Sequence, residues 1–529
     1  MLNNNLYLAI DQGGQSTRLA LFDIKGNCVC VYSAPCATQH RQIQHGNCQQ
    51  SNSQPQEFIE QNGEEILAGI RSCLVNITEF LGGEVTRIKG AGFAGQGSSL
   101  LCWHTQTGAA LTPVLSWQDI RGEAYINECA LTQEQVQAKT GLRLSPHYGA
   151  SKIRWCLEHD QAVIQARADN CLTIGPIVSY IFWHLLGPKN QVDPGHAQRT
   201  LLWNLARNQW DETLLAEFKI PATLLPKCLY HNQHFGDLQL GTHRIPFCAS
   251  ARDQGASLFA RGTPAGDSIY LNLGTGAFIQ RLSKNMQAPA GLLVSPLWLP
   301  QPSAVNAQPH PIIEVSSPTC YQAEFTSAPQ TENSSSESLY AYEPLYAWEA
   351  TVNGAAAATA YLQDHTGLVV TPADMQQALG LNPTHECYFL NAVGGLSAPY
   401  WRTDLHSRFS DNLSPHEKIL AWLESVLFQC VINIQRMESL GVARSIIISG
   451  GFSKADALCQ KFADLTHIKV ERSDNSDATL QGIGYLAAAM PATWAPQLQC
   501  DIFIPNKNEQ LAQRFTLWKK AMEHWLNES

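Results

Sequence analysis

Eight small or polar residues, Asp11-Gln12-Gly13-Gly14-Gln15-Ser16-Thr17-Arg18, separate the apolar runs Leu6–Ile10 and Leu19–Phe22. Glycine backbone N–H groups with hydroxyls beside them can cradle phosphate, and a carboxylate at the same tip can hold a cation. The residues are also good turn chemistry, because Gly supplies a positive φ between two strands. Two further glycine turns add weight to the phosphate reading. Gly274-Thr275-Gly276 lies between two apolar runs, and Gly450-Gly451-Phe452-Ser453 leads from a strand into a helix. Glycines there let a ligand approach the backbone at a helix N-terminus. Asp253-Gln254 sits where another strand hands over to a helix. A carboxylate in that place can take a proton from a substrate hydroxyl or serve as an N-cap.

One other cluster has metal-binding residue types: Cys28, Cys30, Cys36, His40, His45 and Cys48. It contains no C-x-x-C pair and its spacings match no common zinc site. Cys28-Val29-Cys30 instead alternates as one face of a strand does.

The elements that must position these groups alternate between strand and helix, as in α/β domains. Ile88–Phe93, Leu111–Trp117, Ile269–Leu273, Phe278–Leu282 and Arg444–Ser449 read as strands. Gln56–Val75, Ala347–Gln363 and His416–Glu438 read as helices, and Lys152–His159 as a helix on a domain surface. Two hairpins with glycine-bearing tips, far apart in sequence, predict two related halves facing one cleft. The expected division is 1–246 and 247–492, with an insertion at 283–345 around "TSAPQTENSSSES" and a helical tail at 493–529. In that tail Leu511, Phe515, Trp518, Met522 and Trp525 make a packing stripe.

Composition narrows the function classes. A chain of 529 residues is too long for one core, and 15% charged with 44% hydrophobic residues is ordinary globular usage. The net charge of -10 with no basic block argues against a nucleic-acid partner. No apolar run is long enough to insert in a membrane, and "MLNNNLYLAID" lacks the features of a signal peptide. Sixteen scattered cysteines, many within apolar stretches, suit a reducing cytoplasm.

The segments "AIDQGGQSTRLALFD", "GAGFAGQGSSLLCWHTQTGAALTPVLSWQDIRG", "GASKIRWCLEH", "ARDQGASLFARG", "LNLGTGAFIQ", "GGLSAPYW" and "SGGFSKADALCQKFADL" occur in that order. In this the chain resembles the FGGY carbohydrate kinases, with spelling most similar to the glycerol kinases. The resemblance implies two actin/hexokinase-like (ribonuclease H-like) α/β domains flanking a deep catalytic cleft. It implies ATP and Mg²⁺ as cofactors, a sugar or polyol as the small-molecule partner, and a possible homodimer or homotetramer. Asp11 would serve the metal. Gly13, Gly14, Gln15, Ser16, Thr17, Arg18, Gly274, Thr275 and Gly276 would contact phosphates, and Gly450, Gly451, Phe452 and Ala455 the adenosine. Asp253 would be the general base, with Gln96, Gly97, Ser98, Trp117, His147, Asp253 and Gln254 around the acceptor. The reaction implied is in-line attack of a hydroxyl on the γ-phosphorus.

Departures from the family pattern matter equally. Glycerol kinases carry Arg-Glu where this chain has Gly97-Ser98, a tyrosine at His147, a threonine at Gly14 and an asparagine at Ala455. Loss of the charged pair argues against glycerol, and the small residues suggest room for a ketose or a longer polyol. The alternatives are a glycerol kinase proper and a catalytically idle sensor of the same fold.

Overall fold

The computed structural model describes residues 5–42, 57–301, 343–367, 369–473, 477–496 and 499–528. Two mixed sheets share one plan. In the first, β1 (Leu6–Gln12), β2 (Ser16–Asp23) and β3 (Cys28–Pro35) form an antiparallel meander. The remaining strands are β4 (Ile88–Gly95), β5 (Gly236–Leu240) and β6 (His243–Arg252). β4 pairs parallel to β1, β6 parallel to β4, and β5 closes the edge, giving the order β5-β6-β4-β1-β2-β3. The second sheet repeats this with β7 (Ser268–Leu273), β8 (Ala277–Ser283), β9 (Leu293–Trp298), β10 (Leu345–Val352), β11 (Ser445–Ser449), β12 (Lys469–Ser473) and β13 (Cys500–Phe503). Its order is β9-β10-β8-β7-β11-β12-β13, with β11 and β12 parallel to β7. A smaller five-stranded sheet, including Glu57–Gln61 and Leu100–His104, stands beside the first.

Helices cover these sheets and define the cores. Helix α1 (Gly63–Leu81) packs Ile66, Leu67, Ile70 and Ile77 under the first sheet. It starts where the Asn62 side chain accepts from the Glu64 and Glu65 N–H groups, and it ends at Gly82 with φ 56°. Helix α2 (Asp253–Ser257) continues directly from β6. Helix α3 (Pro415–Arg436) opens with a capping box from Ser414 to Glu417 and runs through the core of the second sheet, and α4 (Asp456–Thr466) joins that core. Helix α5 (Ala478–Ala487), although it follows β12 in sequence, lies on the first sheet. There Ile483 shares a buried cluster with Ala9, Ala94 and Ala251 of the first sheet and with Trp298 and Leu345 of the second. The interlobe contact is therefore an apolar core in its own right.

Several expectations need correction. Glu57–Gln61 is a strand, and the helix expected over Gln56–Val75 begins only after Asn62; pairing with Thr38–Gln42 claims the earlier residues. Leu111–Trp117 keeps only Val114–Leu115 as strand. Leu345–Val352 is a strand and not the start of a helix, because β8 and β9 pair with it on both sides; the helix is confined to Thr359–Thr366. The expected insertion at 283–345 contains β9, while "TSAPQTENSSSES" lies outside the described residues. Strand β6 crosses the boundary expected at 246/247, and its register with β4 puts it in the first sheet. The helix Gly149–His159 is not merely superficial, since Lys152, Ile153 and Cys156 are buried.

The apolar stripe near the C-terminus falls on helix α6 (Glu509–Asn527), with Leu511, Phe515, Trp518, Met522 and Trp525 buried in the second core. Arg514 of that helix and Lys461 of α4 both pair with the buried Glu424 of α3. Of the cysteine–histidine cluster, His45 and Cys48 lie outside the described residues, and Cys28 and Cys30 sit in β3.

The crossing of α5 over α2 has no room for a side chain. A Cβ on Gly482 would lie 1.8 Å from the Ala256 carbonyl oxygen and 3.3 Å from the Ala260 nitrogen. Gly482→Ala must therefore push α2 away from α5. We expect a loss of about 1–3 kcal/mol or more, read as a lower heat-unfolding midpoint. An unchanged midpoint would contradict this close approach.

Candidate active site

The register of the first sheet places the end of three strands abreast: Gln12 pairs with Gly95, and Gly95 with Arg252. Asp11 thus precedes the edge and Asp253 follows it, two strands apart, or about 10 Å by sheet spacing. Asp11 is 3% exposed and sits directly across the hairpin from Arg18. Arg18 donates from Nη2 to Asp11 Oδ2 at 2.5 Å and from Nη1 to Asp477 Oδ1 at 2.7 Å. Burial above all, with the charges of Asp253 and Asp477, pushes the Asp11 carboxyl up to about 6 against the pull of Arg18. A buried carboxylate with like charge on two sides is a setting that a divalent cation relieves. Asp11 therefore fits the metal role that the sequence suggested.

The turn beside it is tighter than the eight residues at its tip imply. Asp11 and Gln12 belong to β1, Ser16 to Arg18 belong to β2, and Gly13 N–H closes the turn on Ser16 O at 2.9 Å. The Gly14 carbonyl is held by Thr38 Oγ1 and Gln61 Nε2, at 3.0 and 2.8 Å, while no atom lies within 4 Å of where its Cβ would be. Thr17 Oγ1 is buried without a hydrogen-bond partner among the described residues.

The second sheet brings the other two glycine turns together. Gly274 N–H donates to Gly276 O at 2.9 Å, and Ala357 N–H to Thr275 O at 3.0 Å. Gly450 has φ 93°, and a Cβ there would come within 2.4 Å of Leu273 O. Only glycine permits that approach. Gly451 and Phe452 form a short turn before Ala455, which caps α4 without a side-chain bond, and Phe452 packs edge-on against Trp422. A narrow cleft is lined by Gln254 and Arg261 from the end of the first sheet and by Asn272, Phe278 and Ser449 from the second, with Ala478 of α5. Gln254 thus shares one space with Asn272 and Ser449, which lead into the Gly274 and Gly450 turns.

On the opposite side Gln96 is a scaffold residue. Its Nε2 donates to Gln12 Oε1 at 3.0 Å and Gln61 Oε1 at 2.7 Å, and its Oε1 accepts from Ser99 Oγ at 3.0 Å. Lys152 Nζ donates to Ser98 O and Ser116 O, which fixes the Gly97-Ser98 loop against the segment carrying Trp117. Trp117 is 45% exposed, and His147 Nδ1 lies 3.2 Å from its carbonyl oxygen. The room expected beside Gly97 is not there. A Cβ on Gly97 would lie 3.1 Å from Arg199 Cγ and 3.2 Å from Arg252 Cδ, so two arginine stems fill the space.

Both guanidiniums converge on Glu349 of β10, in the other lobe. Arg252 Nη2 donates to Oε1 at 2.7 Å and Arg199 Nη2 to Oε2; Ser295 and Gln280 complete the set at 2.8 and 2.9 Å. Burial alone would raise Glu349, but the charges of Arg252 and Arg199 hold it down at about 2. Asp253 is half-buried, and its Oδ1 accepts from Gln254 N–H at 2.7 Å. Burial pushes its carboxyl up, opposed by that bond and by the charges of Arg252, His196 and Arg199. His196 is itself anchored at 2.5 Å to the buried Asp193, which also accepts from Ser250. Sequence reasoning missed Arg199, Arg252, Glu349 and Asp193. One signal was visible: an arginine directly before Asp253.

Comparison with known proteins identifies the family. The N-terminal domain of the FGGY family of carbohydrate kinases matches residues 6–260, and the C-terminal domain matches 319–490. The chain belongs to the FGGY family of carbohydrate kinases. FGGY kinases are ATP-dependent phosphotransferases that act on hydroxyl groups. The chain is 27% identical over 541 residues to a glycerol kinase of Rippkaea orientalis, covering 98% of each protein. It is 28% identical over 545 residues to one from a Nostoc strain, again covering 98% of each. A glycerol kinase of Plasmodium falciparum, solved with ADP, superposes at TM-score 0.77 with 21% identity, over 99% of this chain and 98% of that one. A xylulose kinase of Lactobacillus acidophilus does so at 0.75 with 17% identity, over 99% of both chains. A gluconate kinase of the same organism also scores 0.75, with 18% identity, over 99% of this chain and 98% of that one. FGGY kinases thus share this fold across different acceptors. Among the described residues no helix is long and apolar enough to cross a membrane.

Glu349→Gln leaves two buried arginines short of a counter-charge. We expect a loss of about 3–5 kcal/mol at neutral pH. Because the folded carboxyl sits below its ordinary 4.5, this stabilisation is complete above about pH 4.5 and is lost as pH falls toward 2. Heat-unfolding midpoints of parent and variant should therefore converge in acid. A gap that stays constant from pH 7 to pH 3 would contradict the assignment.

Proposed function

We propose that this FGGY kinase transfers the γ-phosphate of ATP to a hydroxyl of a ketose or polyol, with Asp253 as the general base and Asp11 as the Mg²⁺ carboxylate. The observation that carries the reading is that both carboxylates stand at one edge of the first sheet, while Gln254, next to Asp253, lines a cleft with Asn272 and Ser449, which lead into the glycine turns of the second. Asp253, at the start of α2, takes the proton from the acceptor hydroxyl as the new oxygen–phosphorus bond forms. The N–H groups of Gly14, Gln15, Thr275 and Gly276 bind the phosphates, and the Gly450 turn with Phe452 receives the nucleoside. Bound Mg²⁺ supplies positive charge to the phosphoryl oxygens. Closure of the lobes excludes water as a competing acceptor.

On the acceptor side Ser98, Trp117, His147 and Gln254 present hydroxyl, ring and amide groups in place of the Arg-Glu pair of glycerol kinases. Hydroxyl-bonding groups of that kind reject an acceptor that leaves them unpaired, which favours a longer polyol or a ketose over glycerol. Free cysteines throughout the described residues fit a cytoplasmic enzyme. We place the domain division after α2, since β6 and α2 belong with the first sheet.

The test is ADP release in a coupled assay across C3 to C7 polyols, ketoses and sugar acids, glycerol included. Turnover with one acceptor above the buffer rate supports the reading; nucleotide binding without any turnover supports an idle sensor instead. Asp253→Asn should lower transfer by at least about 100-fold with ADP affinity nearly unchanged. Asp11→Ala should lower turnover and its dependence on Mg²⁺ together. Equal turnover in Asp253→Asn and parent would remove Asp253 from the chemistry.

A further inference from the structure

Arg252 occupies a place for which the surrounding chain is cut to size. Its stem runs between two glycines: a Cβ on Gly97 would meet Arg252 Cδ at 3.2 Å, and one on Gly195 would meet Arg252 Cγ at 3.4 Å. The side chain is 4% exposed, crosses from the first lobe to the second, and ends on Glu349. Arg199, 8% exposed, ends on the same carboxylate. Two buried guanidiniums therefore share one carboxylate, and the Nε of each is buried without a hydrogen-bond partner among the described residues. One positive charge is in surplus. A surplus buried charge is costly unless another group offsets it. The next residue in the chain is Asp253, whose charge acts on both arginines.

We propose that Arg252 is a positioning residue that supplies the counter-charge of the Asp253 carboxylate and ties it to the second sheet through Glu349. This rests on the reading of Asp253 as the base. The charges that act on Asp253 are those of Arg252 on the preceding strand, of Arg199 and His196 from the 194–199 segment, and of Asp11 from β1. Glu349 from β10 and Tyr148 face the arginines behind it. Of these, Arg252 alone is both adjacent in the chain and fastened across the cleft. Its removal leaves burial less opposed, so the carboxylate takes a proton at higher pH. A base must be ionised to act, so the acid limb of turnover moves up as well.

The experiment compares parent, Arg252→Met and Arg252→Lys in pH profiles of kcat with the acceptor found by the screen. At the pH where the parent is half-maximal, Arg252→Met should run at about a tenth of its own plateau, a shift of about one pH unit. KM for ATP should stay the same. Arg252→Lys keeps the charge and should return the limb toward the parent. A limb at the parent's pH in Arg252→Met, with turnover lowered equally at all pH values, overturns the proposal. A second readout needs no turnover. Asp253→Asn removes a buried charge, so it should raise the heat-unfolding midpoint more in the Arg252→Met background than in the parent. Additive effects of the two substitutions overturn the proposal. Failure of the parent to phosphorylate any acceptor would defeat the kinase reading, and the unfolding cycle alone would then decide on Arg252.

Discussion

The structure turns on one carboxylate in the wall of the second sheet. Glu349 is fully buried, and its partners Arg199 and Arg252 come from the first lobe. Two sheets with separate cores are thereby joined by charge as well as by the apolar cluster around Ile483. An ion cluster of this kind contributes less to net stability than its geometry suggests, because desolvation opposes attraction. What it supplies is registration: the arginines cannot move without Glu349, and Asp253 cannot move far from Arg252. The orientation of the candidate base is set from the lobe proposed to carry the nucleotide.

Lateral register does the rest. Because Gln12, Gly95 and Arg252 lie abreast, the residues around them come to one edge without a long loop to carry them. Asp11, Gly13, Gln96, Gly97 and Asp253 are each within two residues of a strand end. In α/β sheets the crevice beyond the carboxyl ends of parallel strands is where ligands bind, and the second sheet obeys the same rule with Gly274 and Gly450. The hairpin logic of β1–β2 and β7–β8 is one solution used twice.

Much of this was legible in the sequence, and the rest failed for identifiable reasons. Strands bounded by glycine turns, β1, β2, β7, β8 and β11, stood out because their apolar runs end where a ligand needs backbone. Asp11 and Asp253 stood out as carboxylates at such ends. Ala347–Gln363 read as helix because its small residues favour one locally; pairing with β8 and β9 overrides that preference for residues 347–352. Glu57–Gln61 was absorbed into the following helix for the same reason, until Asn62 is recognised as its cap. The supposed room at Gly97 failed because Gly97 is small to admit arginines from positions 199 and 252, a contact across about 100 and 150 residues of chain. No local pattern carries such a contact.

The account stands most directly on where a nucleotide and its metal bind. Crystals grown with a non-hydrolysable ATP analogue and Mn²⁺ in place of Mg²⁺ would locate the metal by its anomalous scattering. The account predicts a peak beside the Asp11 carboxylate, the triphosphate between the Gly13 and Gly274 turns, and Asp253 facing the terminal phosphate across the cleft. A metal peak away from Asp11, or a nucleotide on a surface that Asp253 does not face, would contradict it.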